Sequence, residues 1–143
     1  KMTAEQIMQK EVVTCPSTTL IEEAGLLLRK HRIGCLPVVD GDRLVGMLTT
    51  EDILDFFLDI TGCTTAENTV RVCLHLPADA GALGKLLGTI NKLGGYIATV
   101  VSPVHRDETG MRIAIVRYRA ADGHALDEKL KEMGYDVLSE NLP

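Results

Sequence analysis

The sequence contains no tryptophan, and aromatic residues occupy only 3% of its 143 positions. So few aromatic side chains leave little surface on which the bases of a single strand could stack. Basic residues are scattered, and 15 Lys and Arg against 20 Asp and Glu leave a net charge of −5. Binding to duplex DNA needs a concentrated basic face. We therefore expect no nucleic-acid partner.

Cysteine and long apolar runs are also scarce. The four cysteines are widely separated, with no C-x-x-C pair and no histidine at a zinc-site spacing. Free thiols in a cytoplasmic protein are expected, with no metal bound. No apolar run approaches the roughly 20 residues of a membrane helix, and no signal peptide or lipidation motif is visible. We therefore expect no membrane contact.

A polar, unpatterned stretch divides the sequence into two parts of different hydrophobic rhythm. The chain is long enough for two small domains, and its 45% hydrophobic content is that of a globular protein. We predict a first domain over residues 1–62, a linker over 63–68 and a second domain over 69–143.

Two helices are predicted early in the first domain from capping-box spacings that begin at Thr3 and Thr19. The second helix is expected to run to about His31 and to stop at Gly34. It is apolar well beyond one stripe, and a domain of this size cannot cover it alone. The helix therefore predicts a partner surface on this half of the chain.

Strand patterns complete the first domain. Residues 12–14 are predicted as a short strand stopped by Pro16. Residues 35–48 read as a hairpin that turns at residues 40–42, followed by a helix that stops at Gly62. The predicted order is α-β-α-β-β-α.

The second domain begins with a strand in which every second residue from Val70 to Leu76 is apolar. The pattern that follows predicts the order β-α-β-β-α-β, a ferredoxin-like arrangement, and an α+β class for the whole chain. Such sheets carry helices on one face only. By alternation, the residues expected on the free face are Arg71, Cys73, His75, Arg112 and Tyr118.

The segment of residues 46–52 has the pattern of a strand, a hydroxyl-rich turn and the start of a helix. Unpaired N–H groups at a helix start attract anions, and Thr49 adds a hydroxyl that can donate to a phosphate oxygen. Asp52 can accept two hydrogen bonds from a ribose diol. The alternative is local: Thr49 or Thr50 caps the helix, and Asp52 is an acid favoured by the helix dipole.

Two runs, IGCLPVVD at 33–40 and GMLTTED at 46–52, make residues 1–62 resemble a CBS (cystathionine β-synthase type) motif. Residues 69–138 resemble an ACT domain, with Asp79 and Gly81 at its usual ligand turn, although Ala80 stands where that family commonly has Pro. The combination resembles the acetoin-utilisation regulatory protein family.

The resemblance implies a regulatory module, since CBS motifs pair and hold AMP, ATP or S-adenosylmethionine between them. By resemblance, Thr49 faces a phosphate and Asp52 the ribose. The other implied contacts are the backbone of Val13, Cys35 and Leu36 around adenine, with His31 and Arg32 on phosphate. For His31 and Arg32 the alternative is a helix C-terminus whose cations complement the dipole.

The resemblance to ACT domains implies a small ligand, such as an amino acid, where two such domains meet. Asp79 would hold the ammonium and N–H groups near Gly81 the carboxylate. The alternative is that Asp79 caps a helix and Gly81 allows a turn.

One CBS motif is half of the usual pair, so either an upstream motif lies outside this sequence or two copies of the chain pair as a homodimer. Catalysis is not expected: the four histidines fall on separate elements, and no triad or paired-carboxylate spacing is present. Cys35 is expected to be inert among apolar neighbours. The alternative function is a structural oligomerisation unit with no ligand.

Overall fold

The computed structural model describes residues 1–63 and 69–139 of the chain. The chain separates into two compact units, residues 1–57 and 58–143. All but Cys63 of the predicted linker lies outside the described residues, so the domain boundaries stay a prediction. Within the described part of the chain, no helix is both long and apolar enough to cross a membrane.

The first unit is built on a two-stranded hairpin and the helices beside it. Strands β1 and β2 pair antiparallel across a turn at Gly41, whose φ of 60° suits glycine. The elements are α1 (Ala4–Ile7), α2 (Ile21–His31), β1 (Cys35–Asp40), β2 (Arg43–Thr49) and α3 (Thr50–Ile60). Its buried core consists of Cys15, Ala24, Leu28 and Leu36.

The strand predicted at residues 12–14 is wrong. In its place Cys15 alone makes a parallel bridge to the hairpin, donating from N to Pro37 O at 3.1 Å and accepting from Val39 N at 2.8 Å. Pro16 follows at once and has no N–H, so the ladder cannot continue. The observed order is therefore α-α-β-β-α.

The segment before α2 has a second attachment to the hairpin. Ser17 donates from N and Oγ to the carboxylate of Asp40, at 2.9 and 2.7 Å. These two hydrogen bonds lower the pKa of Asp40. Cys15 and Ser17 thus attach the segment that precedes α2 to strand β1.

The predicted start of α2 is wrong, whereas its predicted last residue, His31, is confirmed. Thr19 does not cap the helix, because Leu20 precedes its first residue and no side-chain cap bond is made. At the other end the helix stops at Arg32, which takes the left-handed conformation at φ 54°, before Gly34 is reached. Non-glycine residues in that region cost roughly 1–2 kcal/mol, so packing of the segment that follows imposes this stop.

The first unit leaves much apolar surface uncovered, as the pattern of α2 predicts. Leu20 and Leu26 flank the buried side of α2 and are each 62% exposed. Further exposed apolar side chains are Leu44 and Met47 on β2 and Leu54 and Phe57 on α3. The partner that would cover them stays a prediction.

The second unit is a four-stranded antiparallel sheet with the predicted order β-α-β-β-α-β and the strand order β4-β5-β3-β6. Its elements are β3 (Val70–Pro77), α4 (Ala82–Lys92), β4 (Tyr96–Val101), β5 (Met111–Arg119), α5 (Gly123–Glu132) and β6 (Asp136–Ser139). The chain is thus of mixed α and β structure, and the assignment of this unit to the ACT family stays a prediction.

The face predicted for β5 is wrong. Tyr118 is fully buried in the core with Val116 and Ala114, and Arg112 has the same parity on the strand. Both faces of β5 carry apolar residues, so alternation alone cannot tell them apart. The buried core also includes Val72, Leu74, Leu76, Leu86, Ile90, Leu126 and Leu130.

Inside this core the Tyr118 hydroxyl donates to Asp127 Oδ1 at 2.5 Å. Asp127 is fully buried on α5. Burial, and then the hydrogen bond and charge of Asp127, raise the pKa of Tyr118 well above its usual range. The pair joins β5 to the helix that covers it.

Candidate functional site

The turn predicted to bind an anion is a reciprocal helix cap in this structure. Asp52 Oδ2 accepts from Thr49 N at 2.7 Å and from Thr49 Oγ1 at 2.6 Å. In return Asp52 N donates to Thr49 Oγ1 at 3.2 Å. The Thr49 hydroxyl and then its N–H lower the pKa of Asp52, so the carboxylate is ionised at neutral pH. Thr49 and Asp52 therefore cap the helix in this structure, as the alternative to a ligand site predicts.

A separate cavity of about 570 Å³ lies in the first unit, and neither Thr49 nor Asp52 is among its lining residues. It is lined by Val13, His31 and Cys35, three of the predicted nucleotide-binding residues. Cys35 pairs directly with Thr49 across the hairpin. Through this pairing, the hairpin places Thr49, at the capped start of α3, beside Cys35, which lines the cavity.

Cys35 and Leu36 occupy different environments although they are neighbours on β1. Cys35 is exposed, so the prediction that the strand is buried at this residue is wrong. Leu36 has no exposed surface, and its side chain belongs to the core of the first unit. Only the backbone of Leu36 remains for a ligand, which is the contact that the resemblance implies.

His31 and Arg32 line different cavities. His31 faces the cavity that Val13 and Cys35 line, whereas Arg32 lines a largely apolar cavity of about 600 Å³ between α2 and α3. Leu28 and Ile53 contribute to the walls of that second cavity. The chain reverses at Arg32 through its left-handed backbone, and this separates the two adjacent basic side chains.

A model of the CBS domain family matches residues 4–59, which hold the hairpin, both cavities and the capped turn. Residues 4–59 form a CBS domain. This family suggests a regulatory, ligand-sensing module.

The relatives of the chain include inosine-5'-monophosphate dehydrogenases. The protein of that name from Staphylococcus epidermidis is 29% identical over 151 aligned positions, which cover 95% of this chain and 30% of the dehydrogenase. Its counterpart from Staphylococcus aureus is 44% identical over 45 residues, which cover 32% of this chain and 9% of that protein. The chain therefore spans less than a third of the length of these relatives.

The second unit carries the predicted amino-acid site, and both of its residues line a cavity of about 550 Å³. Asp79 Oδ1 accepts from Ala82 N at 3.1 Å and so caps α4. Gly81 has φ 120°, which only glycine adopts without strain. Asp79 therefore caps a helix and Gly81 allows a turn, as the alternative to a ligand site predicts.

The sequence reasoning missed other polar residues of this cavity. Lys85 lies one turn into α4. Asp136 is the first residue of β6, and Tyr135 directly precedes it. The Tyr135 hydroxyl is 3.2 Å from Thr89 Oγ1, and His75 Nδ1 is 3.1 Å from Asp136 Oδ2. Lys85 follows Gly81 by four residues, which is the signal that could have placed it there.

Proposed function

We propose that the chain is a regulatory module whose CBS domain binds an adenosine-containing ligand such as AMP, ATP or S-adenosylmethionine. One observation carries the proposal: the cavity lined by Val13, His31 and Cys35 includes the strand residue that pairs with Thr49 at the capped start of α3. Its volume of about 570 Å³ suits a nucleoside-sized ligand. We propose that the adenine ring enters this cavity against the backbone of Val13, Cys35 and Leu36.

The cap then assigns the polar contacts. The Asp52 carboxylate holds the N–H and hydroxyl of Thr49 through one oxygen, Oδ2. Its other oxygen is free to accept from a ribose hydroxyl. Because an ionised carboxylate repels phosphate, phosphate reaches Thr49 only when Asp52 turns away, and otherwise lies toward His31.

One CBS domain supplies half of a paired cleft, so we propose that two copies of the chain associate. The exposed apolar side chains of Leu20, just before α2, and of Leu26 on α2 support this arrangement. In an isologous pair each copy contributes the same residues to both clefts. Arg32 could then reach a ligand held by the partner copy, although it lines a different cavity of its own.

We propose that the second unit is an ACT domain that dimerises or binds an amino acid between Asp79 and Gly81. The sheet order and the cavity at the first turn support this proposal. Regulation requires that the ligand bind one arrangement of the two domains more tightly than another. The linker at residues 63–68 is where we place that coupling.

The dehydrogenase relatives raise the question of catalysis. The chain aligns with only 30% of the length of the dehydrogenase. We therefore propose that the chain is a non-catalytic, cytoplasmic regulator that controls another protein or domain. No catalytic residue is assigned to the chain in this proposal.

Thermal unfolding of the chain with AMP, ADP, ATP, S-adenosylmethionine, NAD and each amino acid tests these assignments. A ligand that binds the folded form raises the melting temperature by mass action. We expect one adenosine compound to do so, and Asp52→Ala to weaken its binding on the order of tenfold.

The matched control is Asp55→Ala, one turn along the exposed side of α3. It should leave the ligand-induced shift unchanged. The shift is compared with each variant's own ligand-free melting temperature, because Asp52→Ala also removes the cap. If no adenosine compound raises the melting temperature, the oligomerisation alternative replaces the sensor.

A further inference from the structure

A separate cavity of about 370 Å³ lies in the second unit, where the connection between β4 and β5 meets β3. Its ionisable lining residues are His75, His105, Arg106, Asp107 and Arg112. Four of these five can carry positive charge, in a chain whose net charge is −5. Arg106 and Arg112 are the permanently charged cations among these lining residues.

The single carboxylate of this cavity is engaged within its own loop. Asp107 Oδ1 accepts from Thr109 N at 2.9 Å, from Thr109 Oγ1 at 2.6 Å and from Met111 N at 2.9 Å. The Thr109 hydroxyl is the main reason that the pKa of Asp107 is lowered. Its other oxygen lies 3.9 Å from His75 Nε2. Asp107 thus holds its loop in place and puts a negative charge close to His75.

The arginines have no such partner. Arg112 Nε is shut off from solvent and has no hydrogen-bond acceptor among the described residues. Within the same part of the chain, neither Arg106 nor Arg112 forms a salt bridge. A buried donor without an acceptor costs free energy, and turning the guanidinium of Arg112 toward an anion in the cavity would remove that cost.

We propose that this cavity binds a small organic anion, a carboxylate or a phosphate monoester, between Arg106 and Arg112. Guanidinium groups donate two parallel hydrogen bonds to either anion. Pro103 and Ile113 provide apolar lining for the body of the ligand, and the cavity volume is within the range of small-molecule sites. This site is separate from the nucleotide cavity and does not rest on the proposed function.

The test is NMR titration of the full chain with phenyl phosphate and with benzoate, following the side-chain Nε–H resonance of Arg112. Benzyl alcohol serves as the uncharged probe. We expect at least one anion to shift this resonance in a saturable manner, and benzyl alcohol to leave it unchanged. The stronger of the two anions identifies the class of the ligand.

Arg112→Gln should weaken anion binding about tenfold or more, and Arg106→Gln, in an exposed loop position, should weaken it as well. Arg119→Gln removes the same charge from the far end of β5 and should change the affinity less than about twofold. Arg106→Gln keeps the test valid if Arg112→Gln does not fold.

Three results would overturn the proposal. One is the absence of any shift with either anion up to about 10 mM, where millimolar affinity is still detected. Another is equal binding of benzyl alcohol. The third is an equal loss of affinity in Arg119→Gln and Arg106→Gln, which would indicate general charge attraction without a site.

Discussion

The two units differ in how completely they bury their own apolar residues. The core of the first unit contains four buried apolar side chains, and that of the second contains ten around a four-stranded sheet, among the residues that the structure describes. The first unit also exposes Leu20, Leu26, Leu44 and Phe57. The second unit thus forms a larger core of its own, although it also exposes Tyr96, Val104 and Met133, whereas the first unit buries few apolar residues by itself.

The largest effect is expected from Leu74→Ala in the core of the second unit. Leu74 is fully buried, so its truncation should lower the free energy of unfolding by about 2–5 kcal/mol. All three tyrosines, Tyr96, Tyr118 and Tyr135, lie in this unit and the chain has no tryptophan. Tyrosine fluorescence during urea denaturation therefore reports this unit alone.

Leu26→Ala in the first unit is the contrasting variant. Leu26 is 62% exposed on a single copy, so at a concentration low enough to keep copies apart we expect a change within about 0.5 kcal/mol in the free energy of unfolding. Circular dichroism during the same denaturation measures it. A loss as large as that of Leu74→Ala would mean that Leu26 is already covered by a partner copy in solution.

A loss between those of Leu74→Ala and Leu26→Ala is expected from Tyr118→Phe. The substitution keeps the ring in the core but removes the donor to buried Asp127, at a cost of about 1–3 kcal/mol. Tyr96→Phe is the control, because Tyr96 is 70% exposed and should tolerate the change. Equal stability of the two variants would show that the Tyr118 bond contributes nothing.

The smallest effect is expected from Asp40→Asn in the first unit, and it depends on pH. Ser17 lowers the pKa of Asp40 in the folded state, so this carboxylate stabilises the fold above the ordinary pKa of about 4. The contribution is lost as the pH falls through the lowered value. Asp40→Asn should therefore reduce the decrease in melting temperature between about pH 5 and pH 3.

Asp42→Asn provides the control for this pH dependence. Asp42 follows in the same turn, and its side chain makes no hydrogen bond or ion pair to the described residues. Its acid sensitivity should match that of the unaltered chain. If Asp40→Asn also matches, the Ser17 contact does not stabilise the folded state.

Strong periodic patterns made much of the fold predictable from the sequence. The alternation from Val70 to Leu76 gave one buried face, and the turn at Gly41 gave the hairpin. The failures came where tertiary contacts decide. Residues 12–14 have strand composition, but only Cys15 pairs before Pro16 ends the ladder. Tyr118 was misplaced because both faces of its strand are apolar.

The candidate sites were predictable to a smaller extent. Motif resemblance selected Val13, His31 and Cys35, which share a cavity although Val13 is distant in sequence from the other two. The resemblance could not show that His31 and Arg32 line different cavities, because their directions depend on the left-handed backbone of Arg32. Alternation placed Arg112 on the free face of the sheet, and no sequence signal indicated that its Nε is buried.

The attachment of Cys15 and Ser17 to β1 has a consequence for how the first unit opens. The Ser17–Asp40 bonds join residues 23 positions apart, and α2 lies entirely within the loop that they close. The helix cannot leave the hairpin by fraying from its start while these bonds hold. Amide protons of α2 and of Val39 should therefore exchange with solvent together, as one cooperative unit.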